Sequence, residues 1–119
     1  SYFFLLQLRH ENKLEMEAKL NGISQGKIMI LPCALQVLFE NAIKHNEFSN
    51  ANPLKITIAM NGQYIKVSNN TKPKPYLNNS THVGLKNLSS RYRLVCNKDI
   101  VIEKTDNLFT VKLPLIGNF

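Results

Sequence analysis

The chain has 119 residues, 44% of them hydrophobic, and carries a net charge of +7. That length fits one domain and that composition suffices for a packed core. No apolar run approaches a membrane span, no signal peptide is visible, and two cysteines, Cys33 and Cys96, are too few and too unpatterned for a metal site. Both sit among apolar residues and read as reduced thiols of a cytosolic protein. The charge favours an anionic partner, whether nucleotide, nucleic acid or acidic membrane surface, without choosing among them.

Residues 1–11, SYFFLLQLRHE, are compatible with a short helix or a strand. The chain opens mid-helix in character and reads as an excised domain. Residues 12–20 alternate strictly. Leu14, Met16, Ala18 and Leu20 face one way and Lys13, Glu15, Glu17 and Lys19 the other, as in a half-buried strand. Asn21-Gly22 and Gln25-Gly26 mark a loop, and residues 28–31 lead into the next element.

Residues 31–46 read as one helix, with Pro32 in its first turn, where the missing N–H costs nothing. Leu35, Leu38, Phe39, Ala42 and Ile43 form an apolar stripe at three- and four-residue spacing. Gln36, Glu40, Asn41, Lys44 and His45 fall outside it. A carboxylate, an amide, an ammonium and an imidazole thus share about two turns of helix. That set suits a Mg²⁺-phosphate site, because Mg²⁺ takes hard oxygen ligands and lets phosphates supply the rest, while a lysine offsets phosphate charge. The same spacing also describes an ordinary Glu40–Lys44 pair on a solvated helix face.

Residues 50–53 are a loop. Residues 54–60 alternate around Ile56, Ile58 and Met60, Asn61-Gly62 is a two-residue hairpin signal, and residues 63–68 return with Ile65 and Val67 inward. Residues 71–82 hold two prolines and no apolar period, so they read as a loop. A helix follows from Val83, with Leu85, Leu88, Tyr92 and Val95 as its inner stripe. Residues 98–104, alternating around Ile100 and Ile102, and residues 108–115 are two strands joined at residues 105–107. Pro114 requires that the last strand end there or lie at an edge. This order predicts an α/β (α+β) two-layer sandwich, its helices on one face of a mixed, largely antiparallel sheet.

Two stretches carry a resemblance. PCALQVLFENAIKHN resembles the N-box of the GHKL ATPase superfamily, and more closely the LytS-like sensor histidine kinases, whose version runs near P-x-x-L-Q-x-L-x-E-N-A-I-K-H. VGLKNLSSRY, residues 83–92, resembles the second glycine motif of that group, G-L-x-N-x-x-x-R. The resemblance covers about residues 2–116. It implies a Bergerat fold and an ATP-binding catalytic domain at residues 12–119. Residues 1–11 would be the end of a helix entering from a missing dimerisation and phosphoacceptor domain.

The resemblance assigns roles residue by residue. Asn41 becomes the Mg²⁺ ligand, Glu40 a catalytic residue that orients water or the acceptor histidine, and Lys44 a phosphate contact. His45 lies near the phosphates or caps the helix end. Asn69 meets adenine, and Gly84, Leu85, Asn87 and Arg91 belong to the phosphate-side motif, with Gly84 at a helix start where backbone N–H groups approach phosphate. Residues 71–82 correspond to the ATP lid, where Lys72, Lys74 and Tyr76 lie. The chain departs from the pattern in three places. Asn69 stands for the usual Asp, neutral and a weaker acceptor, Thr71 for the first glycine of the adenine motif, and His82 for the first glycine of the second motif. His10 lacks the setting of a phosphoacceptor and reads as an exposed helix-end residue.

The implied activity is transfer of the γ-phosphoryl group of Mg-ATP to a histidine outside this chain, in a cytoplasmic domain whose parent is anchored in a bacterial inner membrane. The implied partners are nucleotide, the kinase's own dimerisation domain and a downstream response regulator. The alternative is a degenerate module that binds nucleotide weakly or not at all and acts through protein contacts. Scattered basic residues and the absence of a recognition motif set aside nucleic acid, and no membrane contact by this domain is expected.

Overall fold

Alternation in the strands sends one set of side chains to each side of the sheet, and only one set is apolar. The computed structural model describes residues 13–19, 34–72 and 83–116. In chain order they form β1 (Leu14–Lys19), α1 (Ala34–His45), β2 (Leu54–Asn61), β3 (Tyr64–Asn70), α2 (Val83–Cys96), β4 (Val101–Lys104) and β5 (Leu108–Pro114). The readings for residues 1–11, 21–26, 28–31 and 73–82, with Pro32 and Cys33, lie outside the described residues. No helix among those described is long and apolar enough to cross a membrane.

The five strands make one sheet in the order β1-β2-β3-β5-β4. β1 runs parallel to β2 across α1, and the other neighbours are antiparallel. The registers align rows of side chains across the sheet. Ile58, Val67 and Val111 form one row and Met60, Ile65 and Leu113 the next. These residues join Leu38, Phe39 and Ala42 of α1 and Leu85, Leu88 and Tyr92 of α2 in a single core. The two-layer sandwich expected from the sequence is the one observed. Burying each such Leu, Ile or Phe contributes about 1.5–3 kcal/mol, so this layer contact dominates the stability. On the other face Ser68 and Thr110 share a buried hydroxyl contact of 3.1 Å, and Lys112 pairs with Glu103 at 3.5 Å.

Four details differ from the sequence reading. The hairpin loop is Gly62-Gln63 rather than Asn61-Gly62, since Asn61 pairs with Tyr64. Gly62 takes φ of 64° at the first loop position, as a type II′ turn requires. Of the described inward residues on β1, Leu14 is buried, whereas Met16 is 40% exposed and Ala18 is also exposed, because β1 is an edge strand. Ile102, expected inward, is 47% exposed on the opposite edge strand. Val95 is 59% exposed, while Cys96, four residues after Tyr92, continues the inner stripe of α2 and bonds through its thiol to the Tyr92 carbonyl at 3.2 Å. Asn97 then ends α2 with φ of 57°, its N–H donating to the Arg93 carbonyl at 3.0 Å, a left-handed cap.

Pro114 meets the first of its two conditions. β5 lies inside the sheet, but it ends at Pro114, beyond the last β4 pair at Val101–Lys112. The lost donor therefore faces no partner strand. Replacing Leu113, fully buried between β3 and the helices, by alanine is expected to lower the unfolding free energy by about 2–5 kcal/mol in urea titration. Gly62→Ala should lower it by about 1–2 kcal/mol, through backbone strain alone.

Candidate functional site

The stripe of α1 that enters the core fixes where its polar residues go. With Leu38, Phe39 and Ala42 buried, Glu40 and Lys44 are exposed and Asn41 and His45 half-buried at the edge of the layer. The Glu40 carboxylate accepts a long hydrogen bond from Gln36 Nε2 at 3.4 Å, one turn back. Gly84, at the start of α2, packs against the same helix: a Cβ there would lie 3.5 Å from Val37 Cγ1. Val37 and Asn41 are four apart and share a face of α1. The structure thus brings the start of α2 to the Asn41 side of α1. Gly84, Asn87 and Arg91 share one exposed face of α2 at three- and four-residue spacing. Leu85 does not join them; it is buried in the core.

Asn69 lies near the end of β3, on the helix side, in register with Ile56 and Phe109. It is 6% exposed, and its Nδ2 donates to the Asn70 carbonyl at 2.9 Å. With the amide so oriented, Oδ1 is the atom left to accept a further bond. Thr71, which the resemblance sets at a glycine position, makes two hydrogen bonds. Its N–H donates to the Asn107 carbonyl at 3.1 Å and its hydroxyl to the Asp106 carbonyl at 3.4 Å, fastening β3 to the turn between β4 and β5.

Two residues given no site role from the sequence complete this corner. Asn70 accepts from the Lys55 N–H at 2.8 Å and donates to the Pro53 carbonyl at 3.2 Å, holding the start of β2. Asn46, immediately after α1, donates to the Ala42 carbonyl at 2.9 Å and accepts from the Lys72 N–H at 2.9 Å. Asparagine at a helix end is a readable capping signal, but nothing in the sequence ties it to a residue so far along the chain. An open cleft of about 210 Å³ adjoins this corner, lined by Glu47, Leu54, Asn70, Thr71 and Lys72 among others. Asn41, Lys44, His45, Asn69, Gly84, Asn87 and Arg91 do not line it, whereas Thr71 of the adenine-motif stretch and Lys72 of the lid stretch do.

Among the described residues no three His, Cys, Asp or Glu side chains gather to hold a metal. A Mg²⁺ ion shared with phosphates needs no such cage, and the amide oxygen of half-buried Asn41 is a hard ligand of the right kind.

The fold recurs in known structures. The cytoplasmic segment of the histidine kinase QseC superposes with a TM-score of 0.59 at 12% identity, over 98% of this chain and 70% of that one. A nucleotide-free catalytic domain of the histidine kinase ThkA gives 0.57 at 18% identity, over 95% of this chain and 87% of that one. The Acinetobacter baumannii histidine kinase AdeS gives 0.55 at 16% identity, over 98% of this chain and 61% of that one. This chain has the histidine kinase catalytic-domain fold. No protein-family model and no curated protein sequence matches it.

Asn70→Ala is expected to lower stability by about 1 kcal/mol, as both bonds it makes are solvent-accessible. It should also speed hydrogen exchange at the Lys55 amide, measured by NMR.

Proposed function

We propose that the chain is the ATP-binding catalytic domain of a sensor histidine kinase of the LytS-like group, and that it supplies the γ-phosphoryl group to a histidine on a dimerisation domain outside this chain. The observation that carries the reading is the meeting of Gly84 with the Asn41 face of α1, in a fold shared with histidine kinase catalytic domains. Two motifs far apart in the sequence come together on one side of the helix layer.

In this reading Asn41 offers its amide oxygen to Mg²⁺, which supplies charge neutralisation at the phosphates. Lys44 and Arg91 meet phosphate oxygens, and the start of α2 at Gly84 presents backbone N–H groups to them. Asn87 follows on the same face of α2, and His45 closes the end of α1 beside the phosphates. Asn69 accepts a hydrogen bond from the exocyclic amino group of adenine through Oδ1. Its neutral amide keeps the geometry of the usual carboxylate and gives up its charge. Glu40, exposed next to Asn41, orients the incoming imidazole. The imidazole nitrogen attacks the γ-phosphorus, the bond to the ADP oxygen breaks, and ADP leaves. Positioning and electrostatics supply most of the acceleration in such a transfer. The acceptor histidine, the dimerisation domain and the response regulator belong to the rest of the parent kinase, which this reading anchors in a membrane with the catalytic domain in the cytoplasm.

A second reading is favoured by one set of observations. Asn69, Thr71 and His82 each replace a residue of the usual nucleotide motifs, and Thr71 is committed to the β4–β5 turn. A module kept for protein contacts would tolerate those changes.

Calorimetric titration with a non-hydrolysable ATP analogue separates the two. Micromolar, Mg²⁺-dependent binding is expected, and Asn41→Ala should weaken it on the order of 10- to 100-fold, as for a lost charge-assisted contact. No binding at millimolar nucleotide would establish the second reading instead. Asn69→Leu, which keeps size and removes the acceptor, should narrow the preference for ATP over GTP by about tenfold in the same assay.

A further inference from the structure

Among the groups assigned to the nucleotide, those of α1 and that of β3 sit on separate elements. Asn41 and Lys44 belong to α1 and Asn69 to β3, with the whole of β2 and its turn between them in the chain. Apolar packing holds α1 near the sheet, but it is non-directional and lets packed elements slide. A directional link joins the two ends. Asn46 is 5% exposed and uses both halves of its amide. Its Nδ2 grips the Ala42 carbonyl, next to Asn41, and its Oδ1 receives the Lys72 N–H, three residues beyond Asn69. The Glu47 N–H adds a second link to the Lys72 carbonyl at 2.8 Å. Residues 70 and 71 are meanwhile tied to the start of β2 and to the β4–β5 turn. The strand end is therefore fixed to the sheet, and Asn46 sets the position of α1 against it.

We infer that Asn46 is a positioning residue for the nucleotide, holding the base end at Asn69 and the phosphate end at Asn41 and Lys44 at the separation one bound nucleotide spans. The inference rests on the nucleotide reading above. It requires a loss that appears only for ligands reaching both ends. Asn46→Ala is expected to weaken a non-hydrolysable Mg-ATP analogue about tenfold, while adenosine alone and Mg-pyrophosphate alone stay within about twofold. A purely structural residue would affect the two fragments as much as the whole. Binding is measured by NMR titration, with each variant well below its unfolding midpoint.

Two further variants divide the two bonds. Asn46→Asp keeps an acceptor for the Lys72 N–H and should retain most of the affinity for the intact analogue. Asn46→Ser can still cap Ala42 but does not reach Lys72, and should behave as Asn46→Ala does, which also serves if the alanine variant does not fold. Equal loss on fragments and whole, no loss at all, or Asn46→Asp as weak as Asn46→Ser overturns the inference and leaves the nucleotide reading standing. A wild-type chain that binds none of the three ligands overturns both.

Discussion

The sheet has one apolar face, and everything else in the fold answers to it. The rows through Ile58, Val67 and Val111 and through Met60, Ile65 and Leu113 need a cover, and α1 and α2 provide it with Leu38, Phe39, Ala42, Leu85, Leu88 and Tyr92. Once those side chains face the sheet, helical geometry leaves no freedom for the rest. Glu40 and Lys44 must point outward, and Asn41 and His45 must sit at the edge of the layer. These polar groups are held in place by the burial of their neighbours on the same helix.

The corner at residues 69–72 shows a second use of the same economy. Four consecutive residues span the end of β3, and each is engaged differently. Asn69 turns inward, Asn70 holds β2, Thr71 holds the β4–β5 turn, and Lys72 is held by Asn46 at the end of α1. The hydroxyl and N–H of Thr71 both reach the turn. Its side chain is part of the local hydrogen bonding, where polar groups at the end of a strand need partners.

The edges explain where the sequence pattern and the burial disagree. Met16, Ala18 and Ile102 have the alternation of inward residues but lie on the two edge strands, β1 and β4. Alternation says which side of a strand is apolar; only the sheet order says whether that side has a cover. Pro114 makes the converse point, sitting in an interior strand without penalty because β4 is too short to reach it.

By itself the sequence determined the elements, the two-layer class and the polar side of α1. Periodicity is a local property, and Leu38, Phe39 and Ala42 repeat at a spacing that only a helix can bury on one side. It also marked Asn41 and Gly84 through the words they stand in. The tertiary structure alone decided that Gly84 lies beside Val37, that Leu85 belongs to the core, that the hairpin turns on Gly62-Gln63, and that Asn46 reaches Lys72. Each of those depends on sheet order, register or a contact between residues distant in the chain. A pattern confined to one segment carries no information about which distant backbone group will meet its side chains.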